Sequence, residues 1–446
     1  MKKKLLSIIT AAALTAGIIP CVTAAAPTRA EALISIIQTI GKETEALNSA
    51  AENPFDDVSG DAEKYVAYAY QNGIVSGVDA NTFEPNREVT AEEYSIMLER
   101  ARSLAASSDD IADEQSENVL SIAEQGIFSS GGTVTEPVEG EFDSTANWLD
   151  FTRAGNTAHV DHANVLYQIP EDETELPMVF LHGYGQSRMG WMTTPDGREG
   201  WSNFFLKAGH SVFLVDQPRR GEAGSTASMT TDAIDTWSED SKDYMPGDQA
   251  WYTHFRIGRG TSDRYEGSQF PEGEDALDQF LRQITPNTGS FDQEVIVAAM
   301  DEVMSDVREK TGQKSIYVTH SQGGAIGWYV NTENVAAIVA IEPGGTPEIG
   351  SEQYNNLLAA DIPIVIYFGD YIDNGPEDIV STSFWKGVKD AAEEFAQSYN
   401  ADGGSCTVVS LPDIGITGNS HFMFQELNSD EIAAHVEMWI DENVNQ

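Results

Sequence analysis

Basic residues are scarce in this sequence, which has 25 lysines and arginines against 72 aspartates and glutamates and a formal net charge of −47. A chain this acidic has no general affinity for nucleic acid or for anionic lipid, because both are polyanions. The excess charge is expected on a solvated surface, where added salt would stabilise the fold by screening self-repulsion.

Long apolar runs are absent after the first residues. Met1-Lys2-Lys3-Lys4 is a charged start, Leu5 to Ile19 is apolar, and Val22-Thr23-Ala24 or Ala30-Glu31-Ala32 offers small residues for cleavage. This order is typical of a secretory signal peptide, which we predict over residues 1–26, and not of a membrane span. The protein is therefore expected to be secreted, and no later run is long enough to cross a bilayer.

Cysteine is nearly absent as well, since Cys21 and Cys406 are the two in the chain. Cys21 lies within the predicted signal peptide, and Ile18-Ile19-Pro20 before it is a poor sequence for lipidation. Removal of the signal peptide leaves Cys406 alone, so no disulfide can form within the remaining chain. Stability must come from the core, for which 41% hydrophobic residues suffice. We expect Cys406 in a buried strand and not as a nucleophile.

The sequence has neither a phosphate-binding loop nor a dinucleotide fingerprint. His159 and His162 lie beside Asp161, but we expect them to belong to an early β-hairpin with no third ligand nearby. The sequence therefore predicts no cofactor and no metal ion.

Residues 52–102 carry the pattern of two helices joined by a polar loop. Apolar residues at helical spacing from Tyr65 to Tyr70 predict a first helix, ended by Asn72-Gly73, and Thr90 caps a second with Glu93 as its capping-box partner. This stretch resembles a surface-layer homology (SLH) module. Three further pieces carry the resemblance: Phe55-Asp56-Asp57-Val58, Gly73-Ile74 with Gly77, and Phe83-x-Pro85.

A weaker copy of these motifs follows one module length later, at Asp109-Asp110-Ile111 and Gly126-Ile127. We therefore predict a partial second SLH-like repeat over residues 103–133. Residues 134–143 are rich in Gly, Thr, Pro and Glu and are predicted to be a linker.

The SLH resemblance implies a cell-wall polymer as a binding partner and a cell-wall-associated protein. The family grips such polymers with the arginine of a T-R-A-E motif, which here is Thr90-Ala91-Glu92-Glu93 and has no arginine. A role as a spacer or docking segment is an equal alternative.

Residues 144–446 alternate apolar strand-like runs with helical stretches, which predicts a mainly parallel sheet with helices on both faces. Ligands of such sheets bind at the carboxyl ends of the strands. Residues 225–294 are rich in Trp, Tyr and Phe without strand-like runs and are predicted to be a largely helical cap over that end. The predicted strands are 163–169, 177–181, 211–215, 315–318, 336–341, 362–368 and 406–411.

The segment Ser315 to Trp328 is the one around which we organise this part of the chain. A β-branched run leads into Thr319-His320-Ser321-Gln322-Gly323-Gly324, after which small and apolar residues continue at helical spacing. This strand, turn and helix resembles the nucleophile elbow of the α/β-hydrolases, with Ser321 at its tip. Thr319 stands where the family's G-x-S-x-G pattern has its first glycine. The alternative is a serine in an ordinary strand-to-helix turn.

A serine hydroxyl needs a neutral imidazole to take its proton and a carboxylate to orient that imidazole. His421, in the loop after the last predicted strand, is the candidate base. Glu342 and Asp370 follow the two strands before it and compete for the acid. A carboxylate at the end of a buried strand must have a partner, which favours Glu342. The sequence also resembles a subgroup of secreted bacterial carboxylesterases with a glutamate after the sixth strand, which favours Glu342 again.

The negative charge of a tetrahedral intermediate needs backbone N–H donors. The resemblance implies that one comes from Gln322, directly after the serine, and the other from the His182-Gly183-Tyr184 segment after a predicted strand. We expect Tyr184 to be this second donor. A tight turn required by the fold alone would also explain His182-Gly183.

These resemblances imply an α/β-hydrolase fold with a cap, preceded by a small helical SLH-like region. They also imply a secreted serine carboxylic-ester hydrolase that acts on a small-molecule ester through an acyl-enzyme. The aromatic residues Trp251, Tyr252 and Phe255 in the predicted cap suggest a partly apolar substrate group. An amidase or thioesterase with the same residues is one alternative, and a cell-wall attachment protein that uses the fold as a scaffold is another.

Overall fold

The computed structural model describes residues 28–39, 42–49, 51, 53–60, 62–78, 81–87, 89, 93, 97, 100–101, 119–136, 139–145, 154–226, 247–289 and 291–444. The chain divides into two compact units, Met1–Val119 and Leu120–Gln446. The predicted signal peptide lies outside the described residues. Within them, we find no helix that is both long and apolar enough to span a bilayer.

In the first unit, the described residues form helices α1 (Arg29–Thr39), α2 (Glu43–Asn48) and α3 (Ala62–Gln71). The first predicted helix corresponds to α3, which ends at Gly73 in a left-handed conformation with φ 72°. The second predicted helix, from Thr90, lies largely outside the described residues. Apolar side chains of α1, α3 and the following loop share one core, which includes Leu33, Ile36, Ile37, Val66, Ala69, Ile74 and Phe83.

Two side chains connect the loops of this unit. The Asp57 carboxylate accepts the backbone N–H of Phe83 at 2.8 Å, so two of the SLH-like motifs contact each other directly. The buried Arg29 guanidinium contacts Glu93 Oε1 at 2.5 Å and donates to the Phe83 carbonyl oxygen at 3.0 Å. Helix α1, which the sequence analysis did not predict, is thus part of this unit. Signal cleavage after Ala32 would remove Arg29.

The second unit contains an eight-stranded sheet in the order β1-β4-β6-β5-β9-β10-β11-β12. The pairs β1–β4 and β4–β6 are antiparallel, and the strands from β6 to β12 pair in parallel. All seven predicted strands are present in this sheet. The strands of the unit are β1 (Ile122–Ser130), β2 (Thr133–Val134), β3 (His159–Val160), β4 (Ala163–Pro170), β5 (Met178–Leu181), β6 (Val212–Asp216), β7 (Gly258–Gly260), β8 (Asp263–Arg264), β9 (Ser315–His320), β10 (Val335–Ile341), β11 (Ile364–Phe368) and β12 (Cys406–Ser410).

Helices cover both faces of the sheet, so successive residues of its parallel strands are mostly apolar and not alternately apolar and polar. In β10, Ala337, Val339 and Ile341 face one core cluster, whereas Ile338 and Ala340 face the other. The helices are α4 (Met189–Met192), α5 (Trp201–Ala208), α6 (Asp248–His254), α7 (Glu274–Arg282), α8 (Gln293–Thr311), α9 (Ser321–Gly327), α10 (Glu352–Ala359), α11 (Val380–Ala401) and α12 (Ser429–Asn443).

The prediction of a partial second SLH-like repeat over residues 103–133 was wrong for its described part. Gly126 and Ile127 lie in β1, where Gly126 is opposite Tyr167 of β4. The Tyr167 ring covers Gly126, since a Cβ added there would stand 2.9 Å from Tyr167 Cε1. Ile127 is 57% exposed, whereas Ile74, its counterpart in the first copy, is fully buried. Packing within the sheet therefore explains the Gly126-Ile127 pair, which is not part of an SLH-like repeat. The rest of that segment, up to residue 118, lies outside the described residues.

The two units separate before β1, upstream of the predicted linker at 134–143. The start of that linker belongs to the second unit, because β2 pairs with β3 in an antiparallel ladder. The second unit accordingly begins at Leu120 and not at residue 144. β1 is largely exposed and its few apolar residues do not alternate along the strand, so it gives a weak sequence signal and was assigned to the wrong unit.

Within the predicted cap at 225–294, the described residues 247–289 form α6, a hairpin of β7 and β8, and α7. The hairpin was not predicted, because its strands are short and contain glycine and charged residues. Trp251 of α6 lies against the loop after β5, since a Cβ added at Gly185 would stand 2.8 Å from Trp251 Cη2. The Trp251 and Phe422 rings are 5.8 Å apart. This segment thus lies over the carboxyl ends of the parallel strands.

Candidate active site

Ser321 lies where β9 ends and α9 begins, in a left-handed backbone conformation with φ 53°. Such a conformation is strained for a residue with a side chain and persists only where the surroundings enforce it. A Cβ added at Gly323 would clash with the His182 carbonyl oxygen, and one at Gly324 would stand 2.8 Å from Pro343 Cα. The two glycines are therefore required for the close approach of the turn to the neighbouring strand ends.

The structure also accounts for Thr319 at the position of the family's first glycine. A Cβ added at Gly327, six residues after the serine at the end of α9, would stand 2.8 Å from Thr319 Cγ2. The threonine methyl group thus occupies the space that Gly327 leaves open.

Glu342 directly follows β10 and is fully buried, with φ 39°. Its Oε2 atom lies 2.6 Å from His421 Nδ1. Its Oε1 atom accepts the Gly369 backbone N–H at 2.8 Å and a hydrogen bond from Arg256 Nη2. Every acceptor of this buried carboxylate therefore has a partner, as a buried charge requires.

His421 lies in the loop after β12, and its ring contacts those of Phe255 at 4.7 Å and Trp385 at 4.3 Å. Its backbone N–H donates to the Phe255 carbonyl oxygen at 3.1 Å, which fixes the loop. Because Nδ1 faces a carboxylate, it carries the proton of the neutral ring, and Nε2 is the acceptor. Burial lowers the pKa of His421, more than the Glu342 carboxylate raises it. The imidazole is therefore neutral at neutral pH.

His421 Nε2 is buried and has no hydrogen-bond partner among the described residues. Ser321 Oγ makes no hydrogen bond to it in this structure. The two residues are nevertheless close, because the ring of His320, the residue before Ser321, lies 4.4 Å from the His421 ring. The Gly344 N–H, two residues after Glu342, donates to the Ser321 carbonyl oxygen at 2.8 Å. Ser321, Glu342 and His421 thus meet at one edge of the sheet.

The candidate oxyanion donors lie on both sides of Ser321. Gln322 is in the first turn of α9, where a backbone N–H has no acceptor within the helix. On the other side, a Cβ added at Gly183 would stand 2.7 Å from Ser321 Cβ, so the Gly183-Tyr184 backbone passes directly beside the serine. The Gly183 N–H donates to Gln186 Oε1 at 3.1 Å, which holds this loop in place.

Asp370, the alternative acid, has its carboxylate directed elsewhere. Oδ2 accepts the Gly418 N–H at 2.8 Å, and Oδ1 accepts the Tyr371 N–H at 2.7 Å. These bonds tie the end of β11 to the loop that carries His421. Asp370 therefore supports the loop, whereas Glu342 contacts the ring.

The sequence analysis missed the role of Arg256. This residue belongs to the segment between α6 and β7, is 1% exposed and has φ 63°. Its guanidinium contacts Glu342 and donates from Nε to the Asp370 carbonyl oxygen at 3.0 Å. Burial alone would raise the pKa of Glu342, but Arg256 and His421 outweigh it and lower this pKa to about 2. The aromatic residues of the predicted cap drew attention to this segment, but they assigned no role to the arginine.

The histidines considered as metal ligands lie apart from this site. His159 is in β3, which pairs with β2 in an antiparallel ladder. The Asp161 carboxylate binds Arg219, with 2.8 Å between Oδ1 and Nε. Among the described residues, no group of three potential ligands could hold a metal ion.

Known proteins resemble both parts of the chain. Residues 177–363 match the family model for the alpha/beta hydrolase fold, and residues 54–94 match that for the S-layer homology domain. A probable secreted lipase, phiG, of Fungal sp. (strain ATCC 74256) is 28% identical over 323 residues, which are 61% of this chain and 84% of that protein. An endoglucanase of Bacillus sp. (strain KSM-635) is 31% identical over 126 residues, which are 28% of this chain and 13% of that protein. Among solved structures, a novel bacterial esterase is 30% identical, with a TM-score of 0.59, over 73% of this chain and 98% of that one.

The sheet, the left-handed serine after β9 and the carboxylate–imidazole pair at the neighbouring strand ends together define an α/β protein of the hydrolase type. The chain belongs to the alpha/beta hydrolase fold family and carries an S-layer homology domain in its first unit. Both resemblances seen in the sequence are thereby confirmed.

Proposed function

We propose that this chain is a secreted serine carboxylic-ester hydrolase that works through an acyl-enzyme. The observation that carries the proposal is the buried pair of Glu342 and His421, with 2.6 Å between Oε2 and Nδ1, which leaves Nε2 of a neutral imidazole without a partner at the sheet edge that carries Ser321. A neutral imidazole oriented in this way can accept the proton of a serine hydroxyl. The relatives named as a lipase and an esterase support the same reaction class.

In the first half of the reaction, Ser321 Oγ attacks the ester carbonyl carbon and its proton passes to His421 Nε2. The N–H groups of Gln322 and Tyr184 stabilise the oxyanion. The alcohol then leaves with the proton from Nε2. Water repeats these steps on the acyl-enzyme, which releases the acid and frees Ser321.

The experiment that tests this function is turnover of nitrophenyl esters of graded acyl length, compared with the matching nitroanilides and thioesters. We expect ester hydrolysis to dominate, with a preference for an apolar acyl or alcohol group, because the Phe255 and Phe422 rings pack against His421 and the Trp251 ring packs on both of them. Faster turnover of the anilides or thioesters would instead identify an amidase or a thioesterase.

The acid limb of the pH profile tests the electrostatics of this site. The Arg256 charge lowers the pKa of His421, so Arg256→Met should raise that pKa and move the acid limb of kcat/KM to higher pH. Arg256→Lys, which keeps the charge, is the matched control and should shift the limb less. An unchanged acid limb in Arg256→Met would contradict the assignment of this limb to His421.

We also propose that the S-layer homology domain attaches the enzyme to the cell wall. The match over residues 54–94 and the packed core of α1 and α3 support this role. Retention of the full chain on purified cell walls tests it, with and without a fluorophosphonate on Ser321. We expect retention in both cases, and loss of retention in a chain without residues 54–94. Retention without any ester hydrolysis or serine labelling would favour a purely attaching protein, and no retention would leave the domain as a spacer.

A further inference from the structure

Arg220 is a buried cation without a carboxylate partner among the described residues. It is 1% exposed and follows β6 in the Gln217-Pro218-Arg219-Arg220 segment. The adjacent Arg219 is also buried, but its Nε lies 2.8 Å from Asp161 Oδ1. Arg219 therefore has a carboxylate partner, whereas Arg220 has none among the described residues.

The contacts of Arg220 are with two side-chain amides. Nη2 donates to Gln322 Oε1 at 2.9 Å, and Nη1 donates to Gln217 Oε1 at 3.5 Å. Its Nε atom has no acceptor among the described residues. The Gln217 amide in turn donates to the His182 carbonyl oxygen at 2.8 Å. The guanidinium thus connects α9, which begins with Ser321 and Gln322, to the loop that contains Gly183 and Tyr184.

Asp216, the acidic residue at the end of β6, does not form an ion pair with this guanidinium. The Asp216 carboxylate accepts the Arg188 and Glu222 backbone N–H groups, at 2.8 and 2.9 Å, and lies 3.4 Å from Arg188 Nη1. Burial lowers the pKa of Arg220 to about 10, so its guanidinium is still protonated at neutral pH. An isolated buried charge is costly unless an opposite charge appears near it.

We propose that Arg220 is a positioning residue for the oxyanion hole. It holds Gln322 and, through Gln217, the His182-Gly183-Tyr184 loop on either side of Ser321. Its unneutralised charge lies behind both donors, where it stabilises the negative charge that forms on the tetrahedral intermediate. Preorganised charge of this kind acts mainly in the transition state and therefore raises kcat more than it lowers KM. The proposal rests on the proposed ester hydrolysis at Ser321.

Arg220→Met, which removes the charge and keeps the length, tests this proposal. Loss of a direct oxyanion donor costs roughly 10²- to 10³-fold in kcat, and we expect about 10- to 100-fold for this indirect partner, with KM changed by less than about threefold. Arg220→Lys should restore part of kcat. The matched control is Arg219→Met, which should lower the melting temperature and leave kcat close to that of the native enzyme.

A trifluoromethyl ketone supplies the readout that a purely structural role would not move, because its adduct with serine carries the oxyanion charge. Its affinity should fall in Arg220→Met in proportion to kcat/KM and stay native in Arg219→Met. Native kcat and native ketone affinity in Arg220→Met would overturn the proposal, as would a rise in KM alone.

A second variant covers the case in which Arg220→Met does not fold. Gln322→Met removes the acceptor for Arg220 and keeps the backbone N–H, so kcat and ketone affinity should fall together. If both stay native in this variant, the proposal is overturned. If the native enzyme does not bind the ketone at all, the proposed ester hydrolysis at Ser321 has failed. If the ketone inhibits the native enzyme and all variants equally, only the proposal for Arg220 has failed.

Discussion

Replacement of Ser321 by alanine is expected to lower kcat for a nitrophenyl ester by about 10⁴- to 10⁶-fold, with the fold intact. Ser321 has φ 53° in a turn whose close contacts are made by Gly183, Gly323 and Gly324. Alanine has the same Cβ and fits the same turn, so the loss would report the missing hydroxyl. Steady-state kinetics and thermal unfolding of both proteins provide the measurement.

The matched control is Ser351→Ala, because Ser351 also lies at the start of a helix and its hydroxyl makes a hydrogen bond there. Its Oγ accepts the Tyr354 N–H at 3.2 Å as the N-cap of α10. Loss of such a cap costs about 1 kcal/mol of stability and should leave kcat unchanged. Native turnover by Ser321→Ala would contradict the mechanism.

Glu342→Gln is expected to lower kcat by about 10²- to 10⁴-fold, because an amide cannot hold the imidazole in the required tautomer. The amide group facing His421 Nδ1 would donate to it and move the ring proton to Nε2, which then could not accept from Ser321. The same change leaves the buried Arg256 guanidinium without its carboxylate and should also lower the melting temperature.

Asp370→Asn separates the two candidates for the acid. The Asp370 carboxylate accepts only backbone N–H groups, from Gly418 and Tyr371, among the described residues. An asparagine keeps one acceptor oxygen, so we expect kcat to fall by less than about tenfold, through a looser His421 loop. A larger loss in Asp370→Asn than in Glu342→Gln would assign the acid to Asp370.

The sequence was sufficient to predict seven of the eight strands of the sheet and to place the candidate site at one edge of it. The parallel strands are apolar on both faces, and their carboxyl ends meet at one edge of the sheet. Ser321 and Glu342 directly follow such strands, and His421 lies in the loop after the last one, so the three residues could be placed near each other without coordinates. The choice between Glu342 and Asp370 could not be made in this way, because both follow adjacent strands.

The contribution of the insertion between β6 and α8 could not be predicted. Phe255 and Arg256 contact His421 and Glu342 because the chain turns sharply after α6, at a residue with φ 63° that is not glycine. No periodicity predicts such a turn. No role could be predicted for Arg220 either, since its lack of a carboxylate partner among the described residues becomes visible only when the side chains around it are located.

The central claim is that Ser321 is the nucleophile, and covalent labelling with a fluorophosphonate followed by mass spectrometry tests it most directly. We predict one adduct per chain, located on Ser321, with activity lost in proportion to labelling. Both Ser321→Ala and heat-unfolded protein should remain unlabelled. A fully active enzyme that carries the label, or an adduct on another serine that accounts for the lost activity, would contradict the account.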